Sequence, residues 1–285
     1  MPIKLDNVSY TYAPGTPHEI RALRNVNLDI EDGEFVGVMG TTGSGKSTLI
    51  QLIAGLIAPT EGKILLDGED INAKKYDRDV LHRRIGLVFQ YPEYQLFETT
   101  VERDVAFGLR HQGLTKEETA SAVRTALETV GFDYDEVRDK SPLSFSGGEK
   151  RRIAIAGVLA PKPRVLILDE PIAGLDPLSR QDFLTMVDGL NAQGVTVIMI
   201  SHNADALSEH ARRIIVLCDG ALIRDGSAKH IFSDYYDLIR GGIGVPQVRQ
   251  AVQLLRERGV NMPGNIILYD QFIDRLKIIM WRKNR

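Results

Sequence analysis

Nine consecutive residues, Gly40-Thr41-Thr42-Gly43-Ser44-Gly45-Lys46-Ser47-Thr48, fit the pattern G-x-x-x-x-G-K-[ST] at every fixed position and constrain this chain more than any other stretch. The apolar run 34–39 leads in as a buried strand, and residues 46–54 lead out with helical character, so the loop joins a strand to a helix N-terminus. Glycines let backbone N–H groups turn inward on a polyphosphate, Lys46 adds a point charge, and the helix start adds its dipole. Ser47 is left to hold Mg²⁺ through its hydroxyl. A loop of this kind is expected to bind a nucleoside triphosphate.

Around it the chain reads as a β layer followed by strand–helix alternation, which predicts an α/β nucleotide-binding fold. Residues 3–12 and 23–30 alternate apolar and polar positions as half-exposed antiparallel strands, and 63–66 follows, with a hairpin expected at Asp67-Gly68. Residues 85–89 form a short buried strand ending at Gln90, where Tyr91-Pro92 stops regular continuation. Helical character runs from Val101 to about Val130, with a capping box at Thr115 and Glu118. A second box, Ser146 with Glu149, opens another helix that ends near Pro161. Residues 165–168, 194–200 and 213–218 read as buried strands, a helix fills 177–190, and Gly220 and Gly226 mark a last hairpin. Gly241 to Pro246 reads as a linker to two amphipathic helices, 247–258 and 269–281; Phe272, Ile273, Leu276, Ile279 and Met280 line the second.

Several polar residues fall at the predicted strand ends, where open α/β sheets place ligands. Asp169 is positioned to hold Mg²⁺ beside Ser47, directly or through water. Glu170 is the candidate to orient and deprotonate a water for attack on a γ-phosphate. His202 is a candidate γ-phosphate contact, and Gln90 a candidate sensor of metal and water.

Composition narrows the remaining classes. With 35 basic and 38 acidic residues, a net charge of -3 gives no electrostatic reason to expect nucleic acid as the main partner. The single cysteine, Cys218, lies in an apolar run as a buried thiol, which rules out a disulfide within the chain and points to a reducing compartment. No signal-peptide pattern opens the chain, and no apolar stretch approaches the roughly 18 residues of a membrane span, so a membrane role requires a partner.

These motifs together resemble the nucleotide-binding subunit of ATP-binding cassette (ABC) transporters over about residues 3–235: the phosphate loop, Gln90 at the Q-loop, Ser146-Gly147-Gly148 at the signature, Asp169-Glu170 at Walker B, Ala173-Gly174-Leu175-Asp176 at the D-loop and His202 at the switch. The resemblance implies an ABC-type P-loop ATPase in residues 1–240, with a RecA-like α/β core, an antiparallel β subdomain and a helical signature subdomain. It also implies a helical dimerisation appendage in 241–285, the alternative being that this stripe packs back on the parent domain. Catalysis would rest on Glu170, His202, Gln90 and Lys46. ATP would be held by residues 40–48, by Tyr12 stacked on adenine (Tyr10 the second choice) and, from the facing chain, by Ser146, Gly147, Gly148 and Asp176; Mg²⁺ would be held by Ser47, Gln90 and Asp169. Such chains work in pairs, each signature facing the phosphate loop of the other, and the helix start at Ser146 offers free N–H groups and a positive dipole end for that purpose.

Within that family the stretches Val88-Phe89-Gln90-Tyr91-Pro92-Glu93-Tyr94-Gln95-Leu96-Phe97 and 149–160 are most similar to the ATPases of energy-coupling-factor (ECF) importers of vitamins and transition metals. That likeness implies a second ABC ATPase chain, an ECF-type transmembrane coupling protein and a separate substrate-binding membrane protein as partners, at the cytoplasmic face of the cell membrane, with no nucleic acid. Tyr91, Tyr94, Leu96 and Phe97 would receive the coupling helices or else form a subdomain seam. The basic end, Trp281-Arg282-Lys283 and Arg285, is expected to be solvated. Departures from the family pattern are Phe145 and Glu149 in place of Leu and Gln around the signature, Ile172 for Thr, and Asn203 for Asp. Arg151 and Arg152 are expected to offset the charge of Glu149. The competing classes are a soluble ABC ATPase acting on nucleic acid or ribosomes and a weakly catalytic regulatory nucleotide binder.

Overall fold

The computed structural model describes residues 2–283. In chain order the strands are β1 (Ile3–Tyr12), β2 (Ile20–Ile30), β3 (Phe35–Gly40), β4 (Glu61–Leu66), β5 (Glu69–Asp70), β6 (Ile85–Val88), β7 (Val165–Asp169), β8 (Thr196–Ile200), β9 (Arg213–Cys218) and β10 (Ala221–Ser227). The helices are α1 (Lys46–Ile53), α2 (Arg78–Arg84), α3 (Val101–Val105), α4 (Lys116–Thr129), α5 (Tyr134–Val137), α6 (Gly147–Leu159), α7 (Pro177–Ala192), α8 (Ala204–His210), α9 (Ala228–Ser233), α10 (Tyr235–Arg240), α11 (Gln247–Glu257) and α12 (Tyr269–Lys283).

An antiparallel sheet of order β2-β1-β4-β5 lies over a six-stranded sheet of order β10-β9-β3-β8-β7-β6. Five strands of the second sheet, β9-β3-β8-β7-β6, run parallel, and β10 closes one edge as an antiparallel hairpin with β9. The period of two decides how the layers join. Val36, Val38, Val165, Ile167, Ile198, Ile200, Ile215 and Leu217 point to one side of the parallel sheet. There they pack with α1 and with Ile3, Leu5, Leu28 and Ile64 of the antiparallel sheet. The intervening Phe35, Met39, Leu166, Leu168, Val197, Met199, Ile214 and Val216 point to the other side, against the helical half of the molecule. A strand buried on both faces reads as an unbroken apolar run, as β7 and β8 do.

The helical region is less regular than its sequence suggests. The stretch expected to be helical from 101 to 130 divides into α3, a 3₁₀ turn over 106–109 and α4. Gly113, at φ +68, separates the turn from the Thr115–Glu118 capping box that opens α4. The hairpin at Asp67-Gly68 forms as expected, and the last one turns at Asp219-Gly220; Gly226 lies inside β10. Residues 241–246 differ from a loose linker. Ile243 and Val245 are buried in the main core, and Arg249, 2% exposed, donates from Nε to the carbonyl of Phe232 at 3.1 Å. Beyond it α11 and α12 enclose a small core of their own, with Val252, Met262 and Ile266 against Phe272, Leu276 and Ile279, while Met280 stays exposed. Of the basic end, Arg285 lies outside the described residues, as do the side chains of Arg282 and Lys283. No described helix is long and apolar enough to cross a membrane.

Candidate functional site

The loop after β3 is shaped by close approach of backbone to backbone. Gly40, at φ +158, leaves no room for a Cβ, which would sit 2.4 Å from Ser44 Oγ and 2.5 Å from the Leu217 carbonyl. Gly45, at φ +100, brings the loop to 2.5 Å, Cβ position to oxygen, from the Ala22 carbonyl of β2 and caps α1 in the left-handed region. Lys46 is 8% exposed, and its Nζ donates to the carbonyls of Gly40 and Thr41, each at 2.8 Å. The ammonium is thereby folded inside the loop, between the β3 end and the carboxylates of the next strands.

A cleft of about 400 Å³ opens beside this loop, lined by Gly43, Gly45, Lys46, Ser47 and Thr48, by Tyr12 and residues 20–22 and 24, and by Asp219-Gly220. Tyr12 is partly exposed at the rim. Its ring meets Tyr10 edge-to-face at 4.8 Å, and its hydroxyl lies 3.1 Å from Thr48 Oγ1. Tyr10 packs against the apolar core, which leaves Tyr12 as the aromatic at the cleft. Arg21, Arg24 and Asp219 belong to no sequence motif, and Gly220 only to a hairpin. Their proximity follows from β9 pairing with β3 and from the Gly220 N–H donating to the Ser44 carbonyl at 3.2 Å, contacts between distant parts of the chain that local patterns do not reveal.

The carboxylates arrive from β7, two strands away across β8. Asp169 ends β7 and Glu170 follows at φ +48, a left-handed conformation that is strained for a non-glycine residue. The Glu170 N–H donates to the Ile200 carbonyl at 3.0 Å, tying it to the end of β8, where Ser201 and His202 follow. His202 Nε2 stands 3.6 Å from Glu170 Oε1. Burial raises both carboxyl pKa values, opposed at Glu170 by a hydrogen bond from the His202 backbone and at both by the nearby Lys46 ammonium; burial likewise lowers the pKa of Lys46, opposed by Glu170 and Asp169. Lys46, Asp169, Glu170 and His202 therefore sense one another at one end of the sheet. Gln90 is exposed two residues beyond β6, at that end.

The donor set suits a magnesium-bound polyphosphate. Glu170 Oε1 and Ser44 Oγ are buried without a hydrogen-bond partner among the described residues, and the Ser47 hydroxyl and the Asp169 carboxylate are the hard oxygens that Mg²⁺ takes in small number beside phosphates and water. No group of three or more His, Cys, Asp or Glu suited to a metal occurs among the described residues.

Ser146, Gly147 and Gly148 stand apart from this cluster. Ser146 caps α6 in a reciprocal box with Glu149, its N–H and Oγ both reaching Glu149 Oε2, at 2.8 and 2.7 Å. Those two bonds hold the Glu149 carboxyl below its usual range. A Cβ on Gly147 or Gly148 would meet nothing within 4 Å, so this helix start is open to an approaching surface. Arg152 does help balance Glu149, but Arg151 does not. It is buried and turns inward to Glu93 and to the carbonyls of Pro171 and Ala173. Phe145 packs edge-to-face on Phe132, Ile172 is core, and Asn203 caps α8 through Oδ1 to the Ala206 N–H, so three departures are accommodated locally. Asp176 spends its carboxylate capping α7. After Gln90, Tyr94 and Phe97 are strongly exposed, whereas Leu96 is buried and leaves the proposed groove.

Comparisons with known proteins agree with this geometry. The profile of the family described as ABC transporter matches residues 23–173. The chain is 46% identical over the full length of both proteins to the energy-coupling factor transporter ATP-binding protein EcfA2 of Clostridium perfringens, and 49% identical to that of Clostridium acetobutylicum over 93% of each. Among solved structures, cbiO1 from Clostridium perfringens, part of the ABC transporter complex cbiONQ, superposes with a TM-score of 0.74 at 33% identity, covering 89% of this chain and 98% of that one. The dimeric ATP-binding cassette MJ0796 bound to ADP and Pi gives 0.69 at 33% identity, over 79% and 98%. With its phosphate loop, buried carboxylate pair and cassette topology in place, this chain belongs to the ABC transporter family of ATP-binding proteins.

Proposed function

We propose that this chain is the ATP-hydrolysing subunit of an ECF-type importer, coupling nucleotide-driven pairing of two ATPase chains to uptake of a vitamin or transition metal. One observation supports this reading above the others. The open helix start at Ser146-Gly147-Gly148 borders a different cavity from the Lys46 cleft, with no lining residue in common, which fits each half of a nucleotide enclosure needing a complement from another chain. A second ATPase chain supplies it, its signature N–H groups meeting the γ-phosphate held by residues 40–48, with Asp176 near the shared edge.

In this reading Lys46 leaves its two carbonyl partners to meet the β- and γ-phosphates. Tyr12 stacks on adenine. Glu170, kept basic enough by burial, accepts a proton from the attacking water, and His202 steadies the γ-phosphate. Mg²⁺, held by Ser47, Asp169 and Gln90, would neutralise charge on the phosphate oxygens. Gln90 reports that geometry to the exposed Tyr91, Tyr94 and Phe97, which we assign to the coupling helices of the membrane protein. Residues 1–240 form the ATPase domain and 241–285 the dimerisation appendage, whose exposed Met280 lies on its outer side.

The test is capture of the full-length chain from detergent-solubilised membranes. Integral membrane proteins should co-purify with it in a nucleotide-dependent amount. Recovery of ribosomes or nucleic acid in their place would favour the soluble ABC class.

A further inference from the structure

Two residues of the site occupy left-handed backbone without being glycine: Tyr91, at φ +57 directly after Gln90, and Glu170, at φ +48. Such conformations persist only where the surroundings over-determine them. One side chain touches the segments that carry them. Arg151, on the second turn of α6 and 5% exposed, donates from Nη1 to the carbonyls of Pro171 at 3.3 Å and Ala173 at 2.8 Å, the loop immediately after Glu170. Its Nε donates to Glu93 Oε2 at 3.1 Å, and its guanidinium carbon lies 5.7 Å from the centre of the Tyr91 ring.

We propose that Arg151 is a positioning residue for hydrolysis: by bracing the 171–173 carbonyls against the Tyr91–Glu93 segment, it holds Glu170 at the angle needed to take a proton from water. The inference rests on Glu170 being the base. The planar fork suits the task, because one guanidinium serves a carboxylate on one edge and two carbonyls on the other, whereas an ammonium cannot span both. It also gives docking at the exposed Tyr94 a short covalent and hydrogen-bonded route, through Glu93 and Arg151, to the base.

A positioning role separates turnover from binding. Arg151 touches neither the phosphate loop nor the cleft beside Tyr12, so its loss should lower kcat by about 10- to 100-fold, the scale of a small misplacement of a reacting group. KM and the affinity for a fluorescent ATP analogue should stay within about twofold. The experiment uses the full-length chain in its transporter complex, comparing Arg151→Lys, which keeps the charge, and Arg151→Met/Glu93→Gln, which strands none. Low kcat with unchanged KM, affinity and melting temperature supports the proposal. Near-normal kcat in either folded variant, or KM and affinity changing as much as kcat, overturns it. Glu170→Gln runs in parallel. If that variant still turns over, the base assignment fails and this inference with it; if it is inactive while the Arg151 variants are normal, this inference alone fails.

Discussion

His202 Nε2 faces Glu170 Oε1 at 3.6 Å across the ends of β8 and β7, too far for a hydrogen bond, and leaves that carboxylate oxygen buried without a hydrogen-bond partner among the described residues. A buried, under-satisfied carboxylate costs the folded state more free energy than a neutral amide of the same shape, because the charge is the more expensive group to desolvate. Glu170→Gln should therefore abolish turnover, trap an ATP-bound pair of chains, and raise the melting temperature of the nucleotide-free protein by about 2–4 °C, the shift that ~1 kcal/mol gives in a chain of this size. Calorimetry and size-exclusion chromatography with ATP measure both effects. Unchanged turnover would remove Glu170 from the mechanism.

The same burial fixes a pH dependence. Asp169 and Glu170 are raised in the folded chain above their unfolded values, so they bind protons more readily when folded. Their contribution to stability is fully present below the unfolded carboxylate range and is lost as pH rises through the raised folded values. Nucleotide-free wild type should lose this component with rising pH, and Glu170→Gln should show a shallower decline over that interval. Urea denaturation across the pH series reads the difference; parallel curves for the two proteins would contradict the assigned cause.

Much of this site was legible in the chain because its parts are local. The phosphate loop, both capping boxes and the strands ending at Asp169 and Ile200 each depend on neighbours within a few residues, and each formed where the pattern placed it. What escaped depends on distant contacts or on very short elements. Arg151 looked like a surface balance for Glu149 because helical spacing alone does not show that Glu93 and the 171–173 loop converge on it. Leu96 belongs to an aromatic and apolar segment that suits either a docking groove or a subdomain seam, and its burial places it on the seam side. Helices α2, α5 and α8 are too short for a periodic stripe and are marked only by their caps Asp77, Asp133 and Asn203. Ile243 and Val245 lie among glycines whose composition signals a linker, but their own apolar side chains anchor the segment.

Two glycines of the phosphate loop should respond differently to alanine. At Gly45 a methyl group meets the Ala22 carbonyl at 2.5 Å and Leu23 Cδ2 at 2.7 Å on top of the φ +100 strain, whereas at Gly43, φ +80, the space is open. Gly43→Ala should cost about 1–2 kcal/mol, the left-handed penalty alone. Gly45→Ala should cost more and displace the loop from β2, with ATP binding lost. Chemical denaturation and nucleotide titration of the two variants check the order; an equal or larger cost at Gly43 would show that the crowding at Gly45 does not set it.

In the proposed function Tyr12 supplies the stacking face. Its hydroxyl contact with Thr48 orients the ring, but an aromatic face needs no hydroxyl. Tyr12→Phe should keep nucleotide affinity nearly unchanged, and Tyr12→Ala should weaken it by about 1–3 kcal/mol, the usual worth of a base on an aromatic ring. Tyr10→Ala, on the core side of the pair, should lower stability with a smaller effect on affinity. Fluorescent-nucleotide titration separates the two rings, and a larger affinity loss at Tyr10 would transfer the role to it.

Glu149 places a negative charge at the start of a helix that, in the proposed pairing, faces the partner chain's phosphate loop. Its carboxyl is held below the usual range by the bonds from Ser146, so it is ionised throughout the neutral region, and a glutamine closes the same capping box without the charge. Any penalty on phosphate approach should fall on the composite site that contains the partner's loop, and spare the one that contains Lys46, because the signature of this chain contributes to the former. Glu149→Gln should then raise hydrolysis or nucleotide occlusion at the partner-loop site. The measurement pairs it with a Lys→Ala change in one phosphate loop at a time, so that each composite site is read alone. An effect confined to the Lys46 site would show that the signature does not act across the interface.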